Sequence, residues 1–178
     1  MITIEDSALL IVDVQGKLAD QMHHSTSLLE NLSILIQGAT LLSVPVIWVE
    51  QLPNKLGKTH SYIAPYLSGR ALEKSTFSSW GSGEIRSEIE RINRKNWIVA
   101  GIESHVCVYQ TVRDLLKEDY AVHVVKDAVS SRVIDNKNLG LEAMKSAGAR
   151  MTSTEMVLFE LQQVAEGEVF RQMIKLIK

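Results

Sequence analysis

Apolar and polar residues along this chain form blocks that predict alternating strands and helices. Apolar runs rich in β-branched residues end at or beside an acidic residue or a glycine, the pattern of strands buried on both faces. The predicted strands cover residues 8–14, 44–50, 96–101, 120–127 and, with a weaker pattern, 149–152. Apolar residues at helical spacing predict helices at about residues 27–43, 82–94, immediately after Cys107, 136–147 and from 154 onward.

This alternation predicts a parallel sheet covered by helices on both faces. Because crossovers between parallel strands are right-handed, the chain is restricted to a doubly wound topology. We therefore expect an α/β fold: a three-layer α/β/α arrangement with a mostly parallel, Rossmann-like sheet of five to six strands. With 178 residues, the chain suits one domain over residues 1–178.

Residues 51–81 lack a clear period and contain two of the three prolines. A stretch of this length without strong pattern is unusual inside a compact domain, and such connections tend to be lids or binding loops. The segment is therefore a candidate for covering a substrate.

Composition narrows the class of partner. The formal net charge is −2 with no dense run of Lys and Arg, which argues against a nucleic-acid or anionic-membrane surface and favours a small-molecule substrate. No window reaches the roughly 20 apolar residues of a membrane span, and the N-terminal segment carries Glu5 and Asp6 where a signal peptide has positive charge. A single cysteine gives no intrachain disulfide, so we predict a cytoplasmic location.

That cysteine, Cys107, lies where a predicted strand ends and a helix begins. Ligands of doubly wound sheets bind beyond the carboxyl ends of the strands, and Asp13, Glu50 and Asp127 lie near such ends too. Unpaired N–H groups and the helix dipole favour a thiolate in the first helical turn. The alternative is a buried cysteine that acts as a small hydrophobic residue. His105 is too close in sequence to face the same way, so we expect a non-catalytic contact from it.

The chain has no dinucleotide-binding or Walker-type glycine loop; it resembles instead the isochorismatase-like superfamily of cysteine hydrolases over almost its whole length. Residues 10–15 (LIVDVQ) resemble the first-strand motif with its catalytic aspartate, residues 73–78 (EKSTFS) the segment with the catalytic lysine, and residues 101–107 (GIESHVC) the nucleophile loop. Further similarity at residues 50–51, 56–57, 127–132 and 146–155 is closest to the isochorismatase domain-containing hydrolase subgroup.

The resemblance implies a catalytic triad of Asp13, Lys74 and Cys107. Cys107 would attack a carbonyl carbon as a thiolate, Asp13 would transfer protons, and Lys74 would lower the thiol pKa. Backbone N–H groups at Cys107 and near Ser104 would form the oxyanion hole, in a loop that includes Glu103. The family commonly has a cis peptide bond there, which the resemblance places close to Glu103–Ser104.

The resemblance also bears on substrate and cofactors. Metal-binding nicotinamidases carry an Asp-x-His element after the second strand, whereas residues 50–54 (EQLPN) hold no such cluster, so we expect no metal and no cofactor. True isochorismatases lack the nucleophilic cysteine, so Cys107 favours hydrolysis of an amide or related acyl group. The predicted substrate pocket comprises Gln15, Gln51, Phe77 and Trp80, although the alternative that Phe77 and Trp80 are core residues stays open. Asp127 is expected to cap a turn, and Glu103 to position the nucleophile loop.

Two alternatives stay open at this point. The protein is either a metal-independent cysteine hydrolase or a non-hydrolytic protein of the same fold that binds a partner or metabolite, with Cys107 as a redox-sensitive thiol. The apolar residues of the C-terminal segment are either buried against the sheet or part of a subunit interface, and the resemblance implies a homo-oligomer.

Overall fold

The computed structural model describes residues 2–178, which form six strands and eight α-helices. The strands are β1 (Ser7–Val12), β2 (Val46–Gln51), β3 (Leu72–Lys74), β4 (Asn96–Ile102), β5 (Ala121–Ser130) and β6 (Arg150–Thr152). The helices are α1 (Gly16–Asp20), α2 (Ser25–Leu41), α3 (Pro53–Leu56), α4 (Gly83–Ile92), α5 (Tyr109–Lys117), α6 (Ile134–Ser146), α7 (Thr154–Gln162) and α8 (Gly167–Ile177). A π-helical segment, Ser104–Val108, leads directly into α5.

All six strands belong to one sheet in the order β3-β2-β1-β4-β5-β6, and every neighbouring pair is parallel. The chain therefore moves outward from β1 to β3, returns to the centre, and moves the other way from β4 to β6. The order reverses between β1 and β4, which is where a doubly wound sheet forms its ligand crevice. The predicted fold is confirmed.

Alternate residues of the central strands face two separate hydrophobic layers, as the period of a strand requires. In β1, Leu9 and Ile11 belong to the layer that contains α2, α7 and α8, whereas Leu10 and Val12 belong to the layer with α4, α5 and α6. Both faces of the strand are thus buried, and this explains why its sequence is continuously apolar.

Strand β3 and the short helices α1 and α3 are the elements that the hydrophobic pattern did not reveal. β3 has three residues, of which Leu72 and Lys74 are buried and Glu73 is exposed, so it offers no apolar run to detect. Its pairing with β2 sets Gln51 beside Lys74 at the carboxyl edge of the sheet. Part of the segment expected to lack regular structure is therefore an edge strand.

The C-terminal segment forms two helices that pack against α2. Leu161 and Met173 are buried in the core, and Phe159 and Ile177 pack against it. This arrangement supports burial for much of the apolar surface of the segment. Within residues 2–178, no helix has the length and apolar character needed to cross a lipid bilayer.

Gly101 allows the carboxyl ends of β1 and β4 to approach closely. Its φ is +120°, and a Cβ atom at this position would lie 2.1 Å from the carbonyl oxygen of Val12. Only glycine fits both the backbone conformation and the contact. The approach brings the residue after Val12 next to the loop that follows β4.

We expect Gly101→Ala to destabilise the fold by roughly 3 to 5 kcal/mol or to prevent folding, because it adds a steric clash to backbone strain. Gly148→Ala is the matched control, since Gly148 also has a positive φ of 108° but has no other atom within 4 Å of the added Cβ. The control should lose only about 1 to 2 kcal/mol, the cost of a positive φ at alanine without a clash. Urea unfolding followed by circular dichroism measures both changes, and equal losses would contradict this account.

Candidate active site

Asp13 follows β1 directly and has a left-handed backbone with φ of 51°. Its amide N–H donates to the carbonyl of Val49 on β2 at 3.2 Å, so the backbone is held between strands. The side chain is buried, with 4% of the residue exposed. One carboxylate oxygen, Oδ2, accepts from Lys74, whereas Oδ1 accepts no hydrogen bond from any of residues 2–178.

Lys74 ends β3 and is equally buried, with 4% of the residue exposed. Its Nζ lies 2.6 Å from Asp13 Oδ2 in a buried ion pair. The same ammonium group contacts the side-chain oxygen of Gln51 at 3.0 Å and the carbonyl oxygens of Thr76 and Phe77 at 3.1 Å each. A buried charge requires such compensation, and the set of oxygen acceptors indicates that Lys74 is charged.

Cys107 lies in the π-helical segment after β4 and is 8% exposed. Its Sγ donates a hydrogen bond of 3.1 Å to Gln51 Oε1, the same oxygen that accepts from Lys74. The cis peptide bond of the loop joins Ile102 and Glu103, one residue before the expected position. The structure therefore brings Asp13, Lys74 and Cys107 together, with Gln51 between the last two.

The thiol of Cys107 is expected to be protonated in the free protein. Burial and the negative charge of Asp13 raise its pKa to about 12, and the opposing effect of Lys74 is smaller. Lys74 lowers this pKa, as the sequence led us to expect, but the expected net lowering is wrong. The physical reason is that burial of the sulfur disfavours the thiolate and that the nearby carboxylate of Asp13, paired with Lys74, acts in the same direction.

A cleft of about 150 Å³ opens above these groups. Its lining combines polar groups with apolar side chains from β4, from short helices and from loops. The lining residues are Asp13, Leu18, Gln51, Leu56, Phe77, Ile102, Glu103, Val106 and Cys107. Two predicted pocket residues, Gln51 and Phe77, are among them.

The other two predicted pocket residues lie elsewhere. Gln15 is fully buried, and its side-chain amide forms hydrogen bonds with the backbone of Gln51 and of Gly57. It therefore holds the backbone of the site in place and does not face the cleft. Trp80 packs edge-on against Tyr120, with ring centroids 5.9 Å apart, in the hydrophobic layer beside α4.

Two sets of contacts, one with Arg132 and one with α6, hold the nucleophile loop in place. Glu103 Oε2 accepts hydrogen bonds from the backbone N–H and the guanidinium of Arg132, at 2.9 and 3.2 Å. On α6, a Cβ at Gly140 would lie 2.7 Å from the carbonyl oxygen of Ser104, so helix and loop are in direct backbone contact. His105 Nδ1 contacts Ser131 Oγ at 3.0 Å and does not line the cleft.

The side chains of Ser104 and Asp127 do not line the cleft. The Ser104 hydroxyl is buried and has no hydrogen-bond partner among residues 2–178. Asp127 Oδ1 accepts from the backbone N–H and hydroxyl of Thr154, the first residue of α7, at 2.9 and 3.0 Å. Asp127 thus lies within β5 and anchors the start of a helix 27 residues further along the chain, whereas the sequence led us to expect a cap of the turn that follows it.

Sequence reasoning did not identify Leu18, Leu56, Ile102 and Val106 as cleft residues, nor the partnership of Arg132 with Glu103. Leu18 and Leu56 lie on the short helices α1 and α3, whose few residues carry no hydrophobic period. Residues 2–178 contain no group of three or more His, Cys, Asp and Glu side chains placed to bind a metal ion.

Comparison with known proteins places this geometry in context. The family model described as "Isochorismatase domain" matches residues 7–156. The chain is 35% identical to the secreted isochorismatase effector Isc1 of Phytophthora sojae, over 97% of this chain and 84% of that protein. It is 31% identical to isochorismatase domain-containing protein 2 of Danio rerio, over 99% of this chain and 89% of that protein. The solved structure of the MAR1 ribonuclease of Caenorhabditis elegans is 34% identical with a TM-score of 0.92, over 99% and 91% of the two chains.

We expect Asp13→Asn to lower the pKa of Cys107 by at least about one pH unit, because it removes a negative charge and leaves Lys74 facing the thiol. Glu103→Gln is the control, since Glu103 makes the smallest contribution among the causes that raise this pKa. The rate of alkylation by iodoacetamide as a function of pH measures the value in each variant. A pKa in Asp13→Asn at or above the wild-type value would contradict the geometry.

Proposed function

Because this chain belongs to the isochorismatase domain family, we propose that it is a metal-independent cysteine hydrolase acting on a small amide-like or other carbonyl substrate. The observation that carries the proposal is the buried Asp13–Lys74 ion pair whose free oxygen, Asp13 Oδ1, lies in one cleft with Cys107. A nucleophile with a carboxylate base and a compensating cation is the set of groups that acyl transfer requires.

In the first half of the proposed reaction, the Cys107 thiol gives its proton to Asp13 Oδ1 as Sγ forms a bond to the carbonyl carbon. The carbonyl oxygen takes the negative charge and is stabilised by backbone N–H groups of Cys107 and near Ser104. The C–N bond then breaks, and the leaving amine takes the proton from Asp13. A thioester on Cys107 remains.

In the second half, water replaces the amine and attacks the thioester carbon while Asp13 accepts its proton. The C–S bond breaks, the carboxylic acid leaves, and the proton returns to the Cys107 sulfur. Lys74 stays protonated throughout, since it is bound to oxygen acceptors on every side. Its charge favours the ionised form of Asp13 before each half of the reaction, when Asp13 has to accept a proton.

The cleft favours a substrate with a small acyl group. Its volume of about 150 Å³ is below the range of roughly 300 to 1,000 Å³ of sites for drug-sized ligands. Leu18, Leu56 and Phe77 supply apolar walls, and Phe77 is 53% exposed at the rim. We propose a short, uncharged acyl group that fits between these side chains.

Two other activities are less well supported by the same observations. A redox-sensing thiol needs a thiolate at neutral pH, whereas the pKa of Cys107 is raised to about 12. The relative from Caenorhabditis elegans is named a ribonuclease, but this chain has a net charge of −2, and the residues lining its cleft include no Lys, Arg or His.

We also propose that the protein is a homo-oligomer. Val133, just before α6, and Ile134 and Leu139, in its first half, are 52%, 39% and 62% exposed, and exposed large apolar side chains of this kind are candidates for burial by a second copy. The cytoplasmic location stays a prediction.

We expect Cys107→Ala to lose roughly 1,000-fold or more in kcat on the best compound from a library of small amides and esters, because the covalent step is removed. Intact-protein mass spectrometry of wild type should show a transient gain equal to the acyl group. Met156→Ala, at a surface position that is 62% exposed, is the activity control. Turnover retained in Cys107→Ala would disprove the mechanism, and an RNA oligonucleotide in the same screen tests the ribonuclease alternative.

A further inference from the structure

The side-chain amide of Gln51 has an orientation that can be assigned from its neighbours. An ammonium group is a donor only, so the atom of Gln51 that lies 3.0 Å from Lys74 Nζ must be the oxygen. The Cys107 thiol donates to the same oxygen at 3.1 Å. Two donors therefore fix Oε1, and the NH₂ group must point away from Lys74.

The backbone of Gln51 is fixed as well. The buried side chain of Gln15 accepts from the Gln51 amide N–H at 2.6 Å and donates to the Gln51 carbonyl at 3.2 Å. A third contact, from Gln15 Nε2 to the carbonyl of Gly57 at 2.6 Å, ties this pair to the end of α3. Hydrogen bonds hold both the backbone and the side-chain oxygen of Gln51. Its NH₂ group therefore has one orientation.

That NH₂ group makes no hydrogen bond with residues 2–178, and Gln51 lines the cleft. Among the side chains that line the cleft, Asp13 and Glu103 present acceptors, Cys107 presents its thiol, and the others are apolar. The Gln51 NH₂ group is therefore the one side-chain N–H donor that the lining offers. It lies on the same carbon as the oxygen that contacts the nucleophilic sulfur.

From this arrangement we propose that Gln51 is a specificity-determining residue that donates a hydrogen bond to an oxygen of the substrate next to the scissile carbonyl. The inference rests on the proposed hydrolase function and narrows its substrate class to small, uncharged amides or esters whose neighbouring carbon carries an oxygen acceptor. An anionic acceptor is disfavoured because the carboxylates of Asp13 and Glu103 border the same cleft.

Two thiol reagents of similar size test the donor without a known substrate. Iodoacetamide carries a carbonyl oxygen next to its reacting carbon, and allyl iodide carries no oxygen. For each reagent, the rate at which it alkylates Cys107 is divided by the rate at which it alkylates glutathione. The preference is this normalised rate for iodoacetamide divided by the normalised rate for allyl iodide. Because both reagents meet the same thiol in a given variant, any change in its pKa cancels from the preference.

Wild type is expected to prefer iodoacetamide by roughly 3- to 10-fold, the effect of one hydrogen bond. Gln51→Leu should reduce the preference to about 1, and so should Gln51→Glu, which keeps an acceptor for Lys74 but has no N–H when ionised. Gln172→Leu, on α8 outside the cleft, should keep the wild-type preference. Circular dichroism confirms that each variant is folded.

No preference in wild type, or an unchanged preference in both Gln51 variants, would overturn the inference. The result is independent of the hydrolase proposal, since alkylation requires no turnover. If the preference depends on Gln51 while no compound in the library is hydrolysed, the donor role stands and the proposed function fails. If hydrolysis depends on Cys107 while the preference is absent, the proposed function stands and the donor role of Gln51 fails.

Discussion

The ion pair between Asp13 and Lys74 is the interaction on which the rest of the site depends. Two opposite charges 2.6 Å apart, each with only 4% of its residue exposed, are stable only together. Removing one partner from a buried pair costs on the order of 3 to 5 kcal/mol, because the other charge is left uncompensated. The pair joins the ends of β1 and β3, which are not neighbours in the sheet, across the end of β2. It therefore holds the edge strand and the segment after it in place.

Burial and this ion pair together account for the raised pKa of the Cys107 thiol. Burial has the larger effect, and the carboxylate of Asp13 outweighs the tendency of the Lys74 ammonium group to favour the thiolate. The proposed acceptor for the proton of Cys107 is Asp13 Oδ1, which accepts no hydrogen bond from any of residues 2–178. In the proposed mechanism, bond formation to the substrate and proton transfer then occur together. A thiol held in this state is protected from oxidation between turnovers.

The length and burial of each element determine how well the sequence predicts it. Long strands such as β1 and β4 are buried on both faces, so continuous apolar runs predict them and the positions of Asp13 and Cys107 at their ends. β3 has three residues, and Lys74 was identified only through the family resemblance. Gln15 and Gln51 look alike in the sequence, and only the fold shows that one supports the site from behind while the other lines the cleft. The sign of the Cys107 pKa shift depends on burial and on distances that a sequence does not contain.

The proposed catalytic groups and the proposed substrate walls come from different parts of this structure. Asp13, Gln51 and Lys74 lie at the ends of paired strands, and Cys107 follows the close contact at Gly101, so the sheet determines their separations. The walls at Leu18, Leu56 and Phe77 come from α1, α3 and a loop, which tolerate exchange of side chains with little cost to the core. Proteins that share this fold can therefore differ in substrate, because a change in the short elements leaves the sheet unchanged. In the proposed mechanism, the acyl group is selected by those short elements, whereas the chemistry is determined by the groups that the sheet positions.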